Sequence, residues 1–228
     1  MSHRLPSLSP HLRRLYLVRH GEVIPPGGVH GVHYGDMDVP LSDLGKMEAK
    51  AAAKFLEGYD IKGVFSSPLS RAVYGAEQIR KGRELMSAPS TFDGFTELAR
   101  GAWRGQTKDS IGPSLYDSFN RGEPGTTPEG GESLHDIRSR VLSSRDEVLS
   151  LLNPGESGCV VSHLWVTRSV VSDATGKGAG EMHEIEIPTA SVSVVDYEEG
   201  EGGGWIQNVV MLGEKPDAGL EKGQDLGN

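Results

Sequence analysis

The segment from Leu15 to Val18 is a short apolar run, bounded by Arg13-Arg14 before it and by Arg19-His20-Gly21 after it, and it reads as a buried strand. A second such run, Ile61 to Phe65, follows an amphipathic stretch that Ser42 is placed to cap. In that stretch Leu44, Met47, Ala51 and Phe55 fall at helical spacing on one face, and Gly58 stops it. Strand, helix and strand in this order favour a parallel sheet with a right-handed crossover. Sites in such sheets form at the ends of strands, and the first strand ends in an Arg-His pair.

The rest of the chain can be asked what it supplies to that pair. Ile61 to Phe65 runs into Ser66-Ser67-Pro68-Leu69-Ser70-Arg71, where Ser67 suits a helix cap, Pro68 the first turn, and Arg71 emerges beside it. A helix N-terminus with an arginine at its side is anion-binding chemistry. Ser90 to Phe95 reads as a short strand delivering Glu97 into Glu97-Leu98-Ala99-Arg100-Gly101-Ala102-Trp103-Arg104-Gly105. Residues 106–130 are polar with Pro and Gly and hold one helix near Ser114 to Asn120, as a substrate-facing flap. Ser133 caps a helix with Asp136 three residues on, and Ile137, Val141, Leu142, Val148 and Leu149 form its apolar stripe. Gly158 to Ser162 is another buried strand, and it too ends in a histidine, His163. A helix from Trp165 to about Thr175 carries Arg168. Strands at 191–197 and 205–212 close the pattern.

Composition excludes several classes. The 228 residues, 36% hydrophobic and 24% charged, suit one domain of ordinary core size. A formal charge of -9 argues against a nucleic-acid or anionic-membrane partner, while leaving room for a small anion held by local arginines. Cys159 is the sole cysteine, so no intrachain disulfide forms and a reducing, cytoplasmic setting fits. No apolar run approaches the roughly 20 residues of a transmembrane helix. Residues 1–14 contain Ser and Arg without acid, which faintly suits a trimmed plastid-type leader; residues 1–13 are expected as a tail, 14–213 as the domain, and 214–228 as a disordered tail. His30 and His33 sit in a Pro/Gly loop with no third ligand at metal spacing, and are expected to line an entrance.

Arg19-His20, Arg71, Glu97 and His163 form a set able to neutralise a phosphoryl group and attack it. With them, LVRHGE at 17–22, GDMDVPLSDLG at 35–45, SSPLSRA at 66–72, GAWRG at 101–105, GGES at 130–133 and VSH at 161–163 make the chain resemble the histidine phosphatase superfamily, the phosphoglycerate-mutase-like proteins. The resemblance implies an α/β fold, a three-layer α/β/α sandwich whose central sheet is mostly parallel with one antiparallel edge strand. It implies that His20 becomes phosphorylated, that Arg19, Arg71 and His163 bind phosphoryl oxygens, and that Glu97 exchanges the proton of the leaving oxygen. It implies no metal and no cofactor. Tyr34, Arg100 and Leu164 are expected to line the substrate side, with His30, His33, Trp103, Arg104 and Tyr116 as further candidates; Leu164 stands where the family often has glycine.

Two departures favour a hydrolase of a small phosphorylated metabolite over a mutase. Val23-Ile24-Pro25-Pro26 replaces the family's mutase continuation, and the region between Glu97 and Glu132 is short. A bisphosphate-primed phosphoglycerate mutase and a non-catalytic binder of phosphorylated ligands remain the alternatives. The last hairpin either pairs edges in a homodimer or closes the sheet.

Overall fold

The computed structural model describes residues 5–81, 83 and 87–219. Its strands are β1 (Arg13–Arg19), β2 (Gly63–Ser66), β3 (Ser90–Thr91), β4 (Ser157–Ser162), β5 (Val192–Glu199) and β6 (Trp205–Glu214). They form one sheet in the order β3-β2-β4-β1-β5-β6. The α-helices are α1 (Asp43–Leu56), α2 (Ser70–Lys81), α3 (Lys108–Ile111), α4 (Pro113–Asn120), α5 (Leu134–Ser150) and α6 (Leu164–Ala174).

Strands β3, β2, β4 and β1 run parallel. The antiparallel member is β5, one position in from the edge, and β6 pairs with it to form the edge itself. The central strands are covered on both faces, which is why β1 reads as an unbroken apolar run. Alternation splits it: Leu15 and Leu17 pack with the α5 and α6 side chains Ile137, Val141 and Val170. Tyr16 and Val18 face Ala52, Leu56, Ala72 and Ile79 of α1 and α2. Three layers result.

The buried face of α1 differs from the expected one. Gly45, Glu48, Ala49, Ala52, Ala53 and Leu56 turn inward, whereas Met47 is 43% exposed. Backbone contact holds this rotation: a Cβ on Gly45 would stand 1.9 Å from the Glu22 carbonyl oxygen, so position 45 must be glycine for α1 to meet the loop after β1. The start of α2 also departs from expectation. Pro68 lies outside the helix, and Asp38 Oδ1, brought from 32 residues upstream, accepts from both the Ser70 amide and its hydroxyl. Residues 90–95 hold a two-residue strand and a 3-10 turn, and the 106–130 region holds two short helices instead of one. At α5 the capping box of Ser133 and Asp136 forms as its spacing predicts.

From residue 5 the N-terminal segment lies along the sheet, where Leu5 packs against the α1/α2 side and Arg14 Nη1 donates to the Pro6 carbonyl at 2.9 Å. Beyond β6, Lys215 Nζ reaches the buried Glu48 carboxylate at 2.9 Å. Residues 220–228 of the expected C-terminal tail and 1–4 of the N-terminal one lie outside the described residues.

Candidate active site

Because β2, β4 and β1 are parallel neighbours, the residues that follow them share one rim of the sheet. The His20 amide donates to the Ser162 carbonyl at 2.9 Å, and the Ser67 amide to the Val161 carbonyl at 3.1 Å, so both loops continue the ladder for one more residue. This places the rings of His20 and His163 5.1 Å apart between centroids, at 61°.

The two imidazoles are held differently. His20 Nδ1 lies 2.7 Å from the Gly21 carbonyl oxygen, which can only accept, so Nδ1 carries the proton and Nε2 is left with its lone pair. Burial, then the charges of Arg71 and Arg19, hold the His20 pKa well below the ordinary histidine value. His163 Nε2 lies 2.7 Å from Ser67 Oγ, and that oxygen already accepts from the Leu69 amide at 3.2 Å. The Ser67 hydroxyl has no other acceptor among the described residues, so its proton goes to Nε2 and the His163 proton sits on Nδ1. Burial, followed by Arg71, His20 and Arg19, keeps His163 well below its ordinary pKa as well.

Arg71 is almost completely buried, with Nη1 donating to the Met37 carbonyl at 2.6 Å and Nη2 to that of Gly35 at 2.7 Å. Arg19 Nη1 donates to the Ile187 carbonyl at 2.6 Å. These carbonyls fix each guanidinium by one side only. Arg19 Nε, Arg71 Nε and His163 Nδ1 are buried and find no partner among the described residues. Each unmatched buried donor costs about 1–3 kcal/mol, and with Arg19, Arg71 and His163 all near His20 such a set suits an oxyanion.

Glu97, 7% exposed, closes the other side. Its Oε1 accepts from the Leu98 amide at 2.8 Å and from the Trp165 amide at 3.3 Å, the latter in the first turn of α6. The positive end of that helix thus positions the carboxylate. Arg19, Glu97, Tyr34, Arg100 and Leu164 line one cavity of about 120 Å³, together with His33 and Trp165. His30 instead borders a neighbouring cavity of about 200 Å³, reached past Tyr34 and Arg19. Trp103 packs edge-on against Phe119 in the core, and Arg104 pairs with Asp36; neither reaches the cavity lining. Tyr116 stands behind His33, stacked on it at 4.7 Å.

Three supporting residues have roles that spacing alone does not reveal. Ser67, read as a helix cap, is the hydrogen-bond partner of His163. Glu48 accepts from the Glu22 amide at 2.7 Å and braces the loop after His20; an acid on a face of small residues is its only sequence signal. Arg168 donates to the Ile185 and His183 carbonyls and covers the Trp165 ring at 4.8 Å. Burial and the nearby Arg19 lower its pKa to about 10.

The chain is similar to known proteins over most of its length. A phosphoserine phosphatase 1 of Hydrogenobacter thermophilus is 29% identical over 189 residues, covering 82% of this chain and 87% of its own. A probable phosphoglycerate mutase GpmB of Yersinia pestis is 27% identical over 201 residues, covering 85% and 90%. The solved structure of Bacillus stearothermophilus YhfR superposes with a TM-score of 0.75 at 25% identity, over 89% of this chain and 97% of that one. The model of the histidine phosphatase superfamily (branch 1) matches residues 15–207, and the chain belongs to that family.

Proposed function

We propose that the protein is a phosphomonoesterase acting on a small phosphorylated metabolite through a phosphohistidine, with its catalytic unit spanning residues 14–213. The observation that carries this reading is the neutral His20, its Nε2 lone pair free, set among the unpartnered donors Arg19 Nε, Arg71 Nε and His163 Nδ1. In the first step His20 Nε2 attacks phosphorus, the bond to the leaving oxygen breaks, and Glu97 gives that oxygen a proton. In the second, Glu97 takes a proton from water as the water oxygen attacks phosphorus, and the N–P electrons return to Nε2. The fixed donors follow the three non-bridging oxygens through both steps. Leu164, first residue of α6, makes the wall beside His163 apolar where a glycine would leave it open.

Water as the final acceptor is favoured by the stretch Val23 to Pro26 and by the short region after Glu97. That region is tied to the loop after β1: the His33 amide donates to the Gln106 carbonyl at 2.8 Å, and Val32 bridges to Thr107. A mutase reading draws on the 27% relative named as a probable phosphoglycerate mutase. Labelling separates the two. Wild-type protein treated with p-nitrophenyl [³²P]phosphate and quenched in alkali should carry acid-labile label on His20 and release phosphate steadily. Bisphosphate-stimulated isomerisation of 3-phosphoglycerate with little phosphate release would replace the hydrolase by a mutase. Label on another residue would remove His20 from its role.

A further inference from the structure

Glu48 is an acid on a face of α1 otherwise made of Gly45, Ala49, Ala52, Ala53 and Leu56. It is 3% exposed, and a carboxylate withdrawn from water needs donors and a counter-charge to stay ionised. Three segments remote from one another in sequence supply them. Oε2 accepts from the Glu22 amide at 2.7 Å, while Oε1 meets Thr189 Oγ1 at 3.4 Å and Lys215 Nζ at 2.9 Å. Among the described residues Lys215 is the one cation that pairs with this carboxylate.

Two of the three segments hold the backbone of His20. Glu22 follows it by two residues, and Thr189 precedes Ala190, whose amide donates to the His20 carbonyl at 3.0 Å. Ala190 is buried with a φ of 55°, a left-handed conformation that a residue bearing a Cβ keeps only where its surroundings impose it. The third segment is the outermost: Lys215 directly follows the edge strand β6, and its side chain is 43% exposed. Gly213, with a φ of 63°, brings the end of β6 against Pro188, where an added Cβ would stand 3.3 Å from the proline Cδ.

We propose that Lys215 is a positioning residue for His20, and that the segment after β6 is a latch on the catalytic rim. Its ammonium balances Glu48, and the ionised Glu48 holds the Glu22 amide and the 188–190 turn in the places that aim the His20 ring. Without Lys215 the buried charge is unbalanced, and Glu48 draws in water or takes a proton, which turns one of its oxygens from acceptor to donor. Either response loosens the loop on the two sides of His20. The effect on turnover rests on the phosphohistidine reading of the site; the hold on the loop does not.

The test compares wild type with Lys215→Met, Lys215→Arg, Glu48→Gln and the Glu48→Gln, Lys215→Met pair, by rapid alkaline quench with labelled p-nitrophenyl phosphate and by amide hydrogen exchange. Lys215→Met should slow both His20 labelling and kcat about tenfold, while inhibition by inorganic phosphate and the fraction of protein labelled stay within about twofold. An unfolded fraction would do the reverse, lowering the amount of label and leaving its rate alone. Lys215→Arg should keep most of the rate. In the Glu48→Gln background Lys215→Met should cost nothing more, because a neutral side chain needs no counter-charge. Additive losses, or a full rate in Lys215→Met, overturn the latch. The Glu22 and Ala190 amides should also exchange about tenfold faster in Lys215→Met while those of β4 keep their protection, and unchanged exchange at both is equally fatal to it. If the wild type takes no label, the phosphohistidine reading fails and the exchange comparison alone decides the latch.

Discussion

His20 and His163 end neighbouring parallel strands, are both buried, face the same two arginines, and have pKa values pushed the same way. Only the second partner of each ring differs. A backbone carbonyl, which has no proton to give, holds Nδ1 of His20 and frees a lone pair. A hydroxyl, which has one, holds Nε2 of His163 and turns its other nitrogen into a donor. In the mechanism proposed above, identical positions at the sheet rim serve as nucleophile and electrophilic support, and what separates the two is the direction of one hydrogen bond.

Breaking each ring should separate the roles most widely. His20→Ala should lower kcat by more than about 10³-fold in a steady-state phosphate assay, since no other nucleophile takes its place. His163→Ala should cost about 10²-fold, the loss of one fixed donor, while still accepting label on His20. Equal losses in both variants, or absence of label in the second, would erase the distinction. Ser67→Ala should have a smaller effect, about tenfold in kcat, because His163 keeps its place but loses the group that fixes its proton. A Ser67→Thr variant should recover most of that loss, which a purely packing role for Ser67 would not produce.

The mildest test concerns stability. Both rings have folded-state pKa values below the ordinary value of about 6.5, so the unfolded chain binds the additional protons. Their contribution is constant above about pH 6.5 and declines as the pH falls below it. His163→Gln should reduce the acid-side slope of unfolding free energy by up to one proton, about 1.4 kcal/mol per pH unit, in denaturant titrations between pH 7.5 and 5. An unchanged slope would mean that His163 is already charged in the native protein.

Much of this site is legible in the chain because strands buried on both faces leave long apolar runs, and β1 and β4 each run straight into a histidine. Arg71 and Glu97 stand out by their neighbours in the same way. The partner of His163 does not, since Ser67 belongs to a different strand end and becomes adjacent only when β2 and β4 pair. The cap of α2 escapes for a similar reason: Asp38 is remote in sequence, and local spacing favours Ser67. The turn of α1 was hidden because apolar size is the usual guide to the inner face, and here the inner face is selected by smallness.

Gly21 and Gly45 meet backbone to backbone, and a Cβ on Gly21 would stand 2.3 Å from the Gly45 carbonyl oxygen. The loop that carries His20 is therefore aimed by a limit of approach, like a shaft seated against a shoulder, and not by an attractive contact that could stretch. A single methyl at either glycine would act as a shim: it would lift α1 from the loop and tilt the His20 ring without touching any group that handles phosphate. Catalytic alignment in this protein is set partly by two side chains that do not exist.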